Sequence, residues 1–276
     1  MQTIKAAVCH EFGAPLVIEE VQLAPPGMGE VEVTLDAVAI CHSDISYAEG
    51  AWGGHLPAVY GHEAAGVITA VGTGVQGFTG GDSVVVTLIR SCGTCPSCAG
   101  GRPVICETPH DTLRGPLKTA DGKPLDQAMA CGAFAEKVVV DQRQIVKIPE
   151  DMGKDAAALV SCGVITGVGA VVNAAQLRAG QDVVVIGAGG VGLNAIQGAR
   201  IAGARRIVAV DMSPGKLEIA KEFGATHGVL ATEEKPWKAA YKALGGRGAD
   251  AVLITVGAIP AYDQAPATWR AAARRC

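Results

Sequence analysis

The chain has 276 residues, of which 49% are hydrophobic and 18% charged, with a formal net charge of −4. This length favours two domains over one, and the apolar content suits covered sheets around ample cores. The acidic balance and the lack of a basic stripe argue against nucleic acid or an anionic membrane as partner.

Residues 1–150 carry short runs punctuated by Gly and Pro: KAAVCH, LVIEEV, EVEVTLDAVAI, GVITAVG, DSVVVTLI and AEKVVVD. Such runs predict strands of a mostly antiparallel barrel or sandwich. The opening MQTIKAAVCHEFG is too polar for a signal peptide, and no stretch is expected to reach transmembrane length. A reducing, cytoplasmic compartment is the expectation that follows.

Within this half, SCGTCPSCAGGRPVIC places Cys92, Cys95, Cys98 and Cys106 in one turn-rich stretch. Disulfides are the usual use of dense cysteines in exported domains, which this chain does not resemble. The C-x-x-C-x-x-C spacing with a fourth thiol further on lets four thiolates converge on one zinc and cross-link an irregular loop. An iron–sulfur cluster is the remaining alternative for such a set.

DMGKDAAALVSCGVITGVGAVVNAAQLRAG is expected to be partly helical and to join the two halves. Beyond it the periodicity changes. DVVVIG at 182–187, RIVAVD at 206–211, HGVL at 227–230 and ADAVLITVG at 249–257 are apolar runs separated by helix-like stretches. Strands that alternate with helices predict a parallel sheet with right-handed crossovers.

VVVIGAGGVGLNAIQ sets Gly187, Gly189, Gly190 and Gly192 between the first of these strands and a helix. A G-x-G-x-x-G turn in that context predicts a dinucleotide site: a tight turn, close approach of the pyrophosphate, and close helix–strand packing. The helix N-terminus supplies amide donors for the phosphates. Asp211, ending the next strand, is placed to bind an adenosine ribose and repel an added 2′-phosphate, which favours NAD over NADP. Lys216 is a candidate for the same ribose.

Cys41 in AICHSDIS, His62 in VYGHEAAG and Cys162 in VSCGVITG are ligand-type residues that spacing alone would not group. Together with the four-cysteine loop and GAGGVG followed by Asp211, they make the chain resemble the zinc-containing medium-chain alcohol dehydrogenases up to about residue 265. The wording around SCGVITGVGAVVNAAQLRAG and KEFGATHGV is closest to the branch that oxidises the glutathione adduct of formaldehyde.

The resemblance implies an α/β chain with a GroES-like β-barrel domain at 1–150, zinc-binding and catalytic, followed by an incomplete Rossmann, NAD-binding domain at 151–276. It implies a catalytic zinc held by Cys41, His62 and Cys162, and a structural zinc held by Cys92, Cys95, Cys98 and Cys106. The implied reaction moves hydride between an alcohol, bound to the catalytic zinc as alkoxide, and NAD. Ser43 matches the hydroxyl that takes the alcohol proton. Asp44 matches the carboxylate that orients a zinc histidine, and Glu63 the acidic neighbour that tunes ligand exchange. His42 matches a pyrophosphate contact, while Thr166 and Val191 match positions lining the nicotinamide. Cys9, Cys131 and Cys276 take no role.

Departures from the family pattern bear on the substrate. Ser46 stands where some relatives carry the histidine that ends a proton relay. His110 stands where the glutathione branch carries an arginine, and WGGHLPAVY lacks that branch's acidic residue. An alcohol or aldehyde of unspecified size is therefore preferred to the glutathione adduct. His10, His55, His110 and His227 otherwise read as surface or packing histidines. After GAIPAYDQA the family pattern continues through further strands, one of which pairs subunits in homo-oligomers. PATWRAAARRC instead suggests a truncated chain, for which a catalytically dead zinc-binding fragment is the alternative function.

Overall fold

The computed structural model describes residues 1–269; the arginine- and alanine-rich end at 270–276, with its last cysteine, lies outside the described residues. The chain divides into two compact units, Met1–Cys162 and a second that begins at Gly163.

The first unit contains β1 (Gln2–Cys9), β2 (Val17–Leu23), β3 (Glu30–Ala39), α1 (His42–Ala48), β4 (Ala58–Val59), β5 (Glu63–Val71), β6 (Ser83–Thr87) and α2 (Pro96–Ala99). It continues through β7 (Leu117–Thr119), β8 (Asp126–Gln127), β9 (Lys137–Asp141), β10 (Ile145–Lys147) and α3 (Lys154–Leu159). Two five-stranded sheets result, ordered β7-β2-β1-β4-β8 and β10-β6-β5-β3-β9. Pairing is antiparallel except between β4 and β8.

The run KVVVD in β9 shows how the period of two builds this unit. Val138 and Val140 enter one core with Val31, Val33, Ile68, Val84 and Val86. Val139, on the opposite face, enters another with Ile4, Val8, Val21 and Leu23. Successive side chains on a strand point to opposite faces, so a strand apolar at every position is covered on both. Each such fully buried valine contributes about 1.5–3 kcal/mol of transfer free energy.

The second unit contains α4 (Ile165–Gly169), β11 (Asp182–Ile186), α5 (Gly190–Ile201), β12 (Arg206–Asp211), α6 (Pro214–Phe223), β13 (His227–Leu230), α7 (Pro236–Ala243), β14 (Ala251–Ile254) and α8 (Ile259–Gln264). Its sheet is parallel throughout, in the order β13-β12-β11-β14. Val183 and Val185 of β11 pack with Ile196 and Ala199 of α5 on one face. Val184 packs with Ala240 and Leu244 on the other. This two-sided burial accounts for the uninterrupted apolar strands that the sequence displays.

One expectation is corrected. Lys154–Ala174 forms a helical run of 21 residues that is long and apolar enough to cross a membrane by length and composition alone. From the sequence only a partly helical segment is expected here, and no stretch of that length. Two π-turns, Val160–Val164 and Ala170–Ala174, interrupt its regular α-helical bonding. Cys162 lies in the first of them.

Candidate metal and cofactor sites

Two groups of metal-type donors come together among the described residues, and both lie in the first unit. The first is the four-cysteine loop. Donor atoms of Cys92, Cys95, Cys98 and Cys106 all lie within 4.8 Å of one another. The Cys92–Cys98 and Cys95–Cys106 sulfur pairs are each separated by 3.9 Å. A disulfide requires about 2.05 Å, whereas tetrahedral zinc with Zn–S of about 2.3 Å sets sulfurs about 3.8 Å apart. The thiols therefore fit a tetrahedral ion and not a disulfide.

Backbone amides prepare three of these sulfurs to carry charge, whereas burial pushes the Cys98 thiol up to about 11. Cys92 Sγ accepts from the amides of Thr94 at 3.3 Å and Cys95 at 3.2 Å. Cys106 Sγ accepts from the Cys92 amide at 3.3 Å. Cys95 Sγ accepts from the amides of Cys98 and Glu107, each at 3.5 Å. Hydrogen bonds from Thr108 and from these amides bring the Cys92 thiol down to about 5.

The second group joins three segments distant in sequence: Cys41, the adjacent His62 and Glu63, and Cys162, again with donor atoms within 4.8 Å. Cys41 precedes α1, where its amide donates to Asp44 Oδ2 at 2.9 Å. Asp44 Oδ1 accepts from His62 Nδ1 at 3.0 Å and from the Gly61 amide at 3.0 Å. With Nδ1 engaged by Asp44, Nε2 is the His62 nitrogen left to face the other donors. Thr87 Oγ1 donates to the Ser161 carbonyl at 2.8 Å, which ties the end of β6 to the residue before Cys162.

Electrostatics in this group favour a thiolate at Cys41. Hydrogen bonds with Cys162 and His62, opposed by burial, pull the Cys41 thiol down to about 3, with Ser43 donating through both its amide and its hydroxyl. Burial works against a charged His62, but its bonds to Asp44 and Cys41 hold the imidazole up at about 9. Two thiols, an imidazole and a carboxylate form a donor set suited to zinc. Ser43 stands in the first turn of α1 beside Cys41, and Ser46 is buried one turn further along. His42 opens α1 and is exposed.

In the second unit, the turn after β11 has the close approaches that a dinucleotide needs. Gly187 adopts φ +98°, and a Cβ at Gly192 would lie 1.8 Å from the Gly187 carbonyl oxygen. Around Gly189 and Gly190, by contrast, added Cβ atoms would meet nothing within 4 Å, leaving an open cradle at the start of α5. Asp211 Oδ2 accepts from the Ala188 amide at 2.8 Å and Oδ1 from the Ser213 amide at 2.9 Å, so the carboxylate is fixed against the turn. Thr166 is exposed on α4, which packs against α5, and Val191 lies in the first turn of α5.

A cavity of about 550 Å³ opens beside this turn, lined by Gly187, Asp211, Met212, Lys216, Thr232 and Trp237 among others. It is large enough for an adenosine-sized group. Met212, Thr232 and Trp237 were not singled out in the sequence, where they fall in loops or helix starts without a motif. Thr255, which donates to the Gly187 carbonyl at 2.9 Å, was also missed. Its only signal is a hydroxyl just past the end of an apolar strand.

Comparisons with known proteins bear on the family and the fold. Residues 27–150 match the family model described as the alcohol dehydrogenase GroES-like domain, and residues 190–274 match that of the zinc-binding dehydrogenases. The NDMA-dependent alcohol dehydrogenase of Amycolatopsis methanolica is 40% identical over 261 residues, covering 92% of this chain and 70% of that protein. The S-(hydroxymethyl)glutathione dehydrogenase of Photobacterium damsela subsp. piscicida is 40% identical over 230 residues, covering 80% and 62%. Among solved structures, the alcohol dehydrogenase zinc-binding domain protein of Burkholderia ambifaria superposes with a TM-score of 0.93 at 34% identity, covering 99% of this chain and 76% of that one. The chain belongs to the zinc-dependent alcohol dehydrogenase family, with a GroES-like domain followed by a Rossmann-like one.

Proposed function

We propose that the chain catalyses hydride transfer between a small alcohol or aldehyde and NAD, with Cys41, His62 and Cys162 holding a catalytic zinc and Cys92, Cys95, Cys98 and Cys106 a structural one. The convergence of Cys41, His62, Glu63 and Cys162 within 4.8 Å carries this proposal. When bound, zinc supplies Lewis acidity toward an alcohol oxygen and NAD supplies the hydride acceptor.

The protein's own residues do the rest. Ser43 offers a hydroxyl beside Cys41 that can accept the alcohol proton and pass it outward. Asp44 fixes the ring of His62 and, through the Cys41 amide, the start of α1. Glu63, 4% exposed, adds a carboxylate that can modulate ligand exchange. The turn from Gly187 through Gly189 and Gly190 to Gly192 receives the pyrophosphate at the N-terminus of α5. Asp211 binds the ribose hydroxyls and disfavours a 2′-phosphate, and Lys216 lines the same cavity. His42, Thr166 and Val191 are assigned to further cofactor contacts. A reducing cytoplasm suits so many free thiols.

The test is NAD reduction on a panel of primary alcohols by zinc-loaded protein, compared with Cys41→Ala. Turnover that depends on the alcohol and is abolished by the substitution is expected. Turnover that survives Cys41→Ala would sink the assignment of this site. A folded, metal-replete protein that is inactive on the whole panel would favour the zinc-binding fragment instead.

A further inference from the structure

Asp141 ends β9 with only 11% of its side chain exposed. Its carboxylate accepts three hydrogen bonds from Arg143: from the amide at 2.9 Å, from Nε at 2.8 Å and from Nη2 at 2.8 Å. Arg90 Nη2 lies 3.7 Å from the same carboxylate. One half-buried acid therefore faces two guanidiniums, a local excess of one positive charge.

Both arginines lie beside the four-cysteine loop. Gly93, between Cys92 and Cys95, adopts φ +79°, and a Cβ there would lie 3.8 Å from Arg143 Nη1. The guanidinium therefore lies close to the loop at Gly93. Arg90 shares the wall of a cavity of about 340 Å³ with Cys92 and Cys106. Arg143, a guanidinium charged at any ordinary pH, feels the negative charges of Asp141, Cys92 and Cys106.

The loop needs such a countercharge. Four thiolates around a divalent zinc leave a net charge of about −2, and residues 91–106 contain only Arg102 as a charged side chain of their own. We propose that Arg143 and Arg90, fixed by Asp141, are positioning residues that balance the charge of the metal-bearing loop and set how tightly it keeps zinc. The proposal rests on the assignment of zinc to Cys92, Cys95, Cys98 and Cys106.

Zinc release to a chromophoric chelator tests it, since the readout is independent of turnover. Cys95→Ser identifies the release phase that belongs to the loop. In that phase Arg143→Gln is expected to release zinc about 10-fold faster than the unaltered protein, the scale on which partners of metal ligands act. Arg143→Lys, which keeps the charge, should release more slowly than Arg143→Gln. Lys147→Gln, which removes the ion pair to Asp82, should leave the rate unchanged.

If Cys95→Ser retains the full zinc content, the assignment of the loop fails and the proposal falls with it. If Cys95→Ser loses zinc but a folded Arg143→Gln releases it at the original rate, the countercharge alone is refuted. Equal rates for Arg143→Lys and Arg143→Gln, or equal acceleration by Lys147→Gln, would place the effect in general packing and also overturn it.

Discussion

Nδ1 of His62 donates to Oδ1 of Asp44 at 3.0 Å, with the two side chains only 1% and 2% exposed. The same carboxylate binds the amides of Cys41 and Gly61, so one buried acid organises two of the candidate ligands and the backbone between them. Asp44→Asn keeps the size and removes the charge. It should weaken zinc binding at the Cys41–His62–Cys162 group by about 10- to 100-fold. Chelator competition measures this, and an unchanged affinity would show that Asp44 has only a packing role.

Asp211 is predicted to set cofactor choice. Its two oxygens are already held by the amides of Ala188 and Ser213, so the carboxylate cannot swing away from an added phosphate. Asp211→Asn should weaken NADH and relieve the repulsion of NADPH. Hydrogen bonds to a charged group are worth about 1.5–3 kcal/mol, or about one to two orders of magnitude in relative affinity. Fluorescence titration with both reduced cofactors reads the ratio directly; a constant ratio would remove Asp211 from specificity.

Gly192→Ala tests the turn itself. The added methyl would press on the Gly187 carbonyl oxygen at 1.8 Å and on Thr255 Oγ1 at 2.9 Å. Backbone cannot yield as a flexible side chain does, so an overpacking cost of about 1–3 kcal/mol is expected, together with loss of NADH binding. Thermal melting and NADH titration on the same sample check both. Retained NADH affinity would contradict the assigned geometry.

Acid should loosen the first unit through Glu32. Burial pushes its carboxyl up, but Lys137 at 2.8 Å, Thr69 at 2.7 Å and Gln2 together bring it below the ordinary value. A carboxyl whose folded pKa is depressed contributes stability above its unfolded value, about 4.3. That contribution is lost as pH falls through the folded value. Lys137→Met should raise the Glu32 pKa and move acid unfolding to higher pH. Urea midpoints followed against pH would show the shift, and identical profiles would exclude Glu32 as the source.

Much of the fold is legible because its strands are long enough to show a period. β11, β12 and β13 fall where the apolar runs DVVVIG, RIVAVD and HGVL stand. The strands β4 and β8 are two residues each, too short for any period, although both are fully buried and join one sheet. The metal loop is legible from spacing because its ligands are local. Cys41, His62 and Cys162 are not, since only tertiary folding unites them, and they were grouped by resemblance. That the Glu63 carboxylate enters the donor group, and that Trp237 and Thr232 line the cavity beside Asp211, depends on side-chain direction, which sequence periodicity does not encode.

The most direct test of hydride transfer at the proposed site uses an alcohol carrying deuterium on its carbinol carbon, incubated with zinc-loaded protein and NAD. Mass spectrometry of the reduced cofactor should show deuterium on the nicotinamide ring, and none when Cys41→Ala protein is used. Reduced cofactor without deuterium, or equal labelling by Cys41→Ala, would contradict direct transfer at the Cys41–His62–Cys162 site.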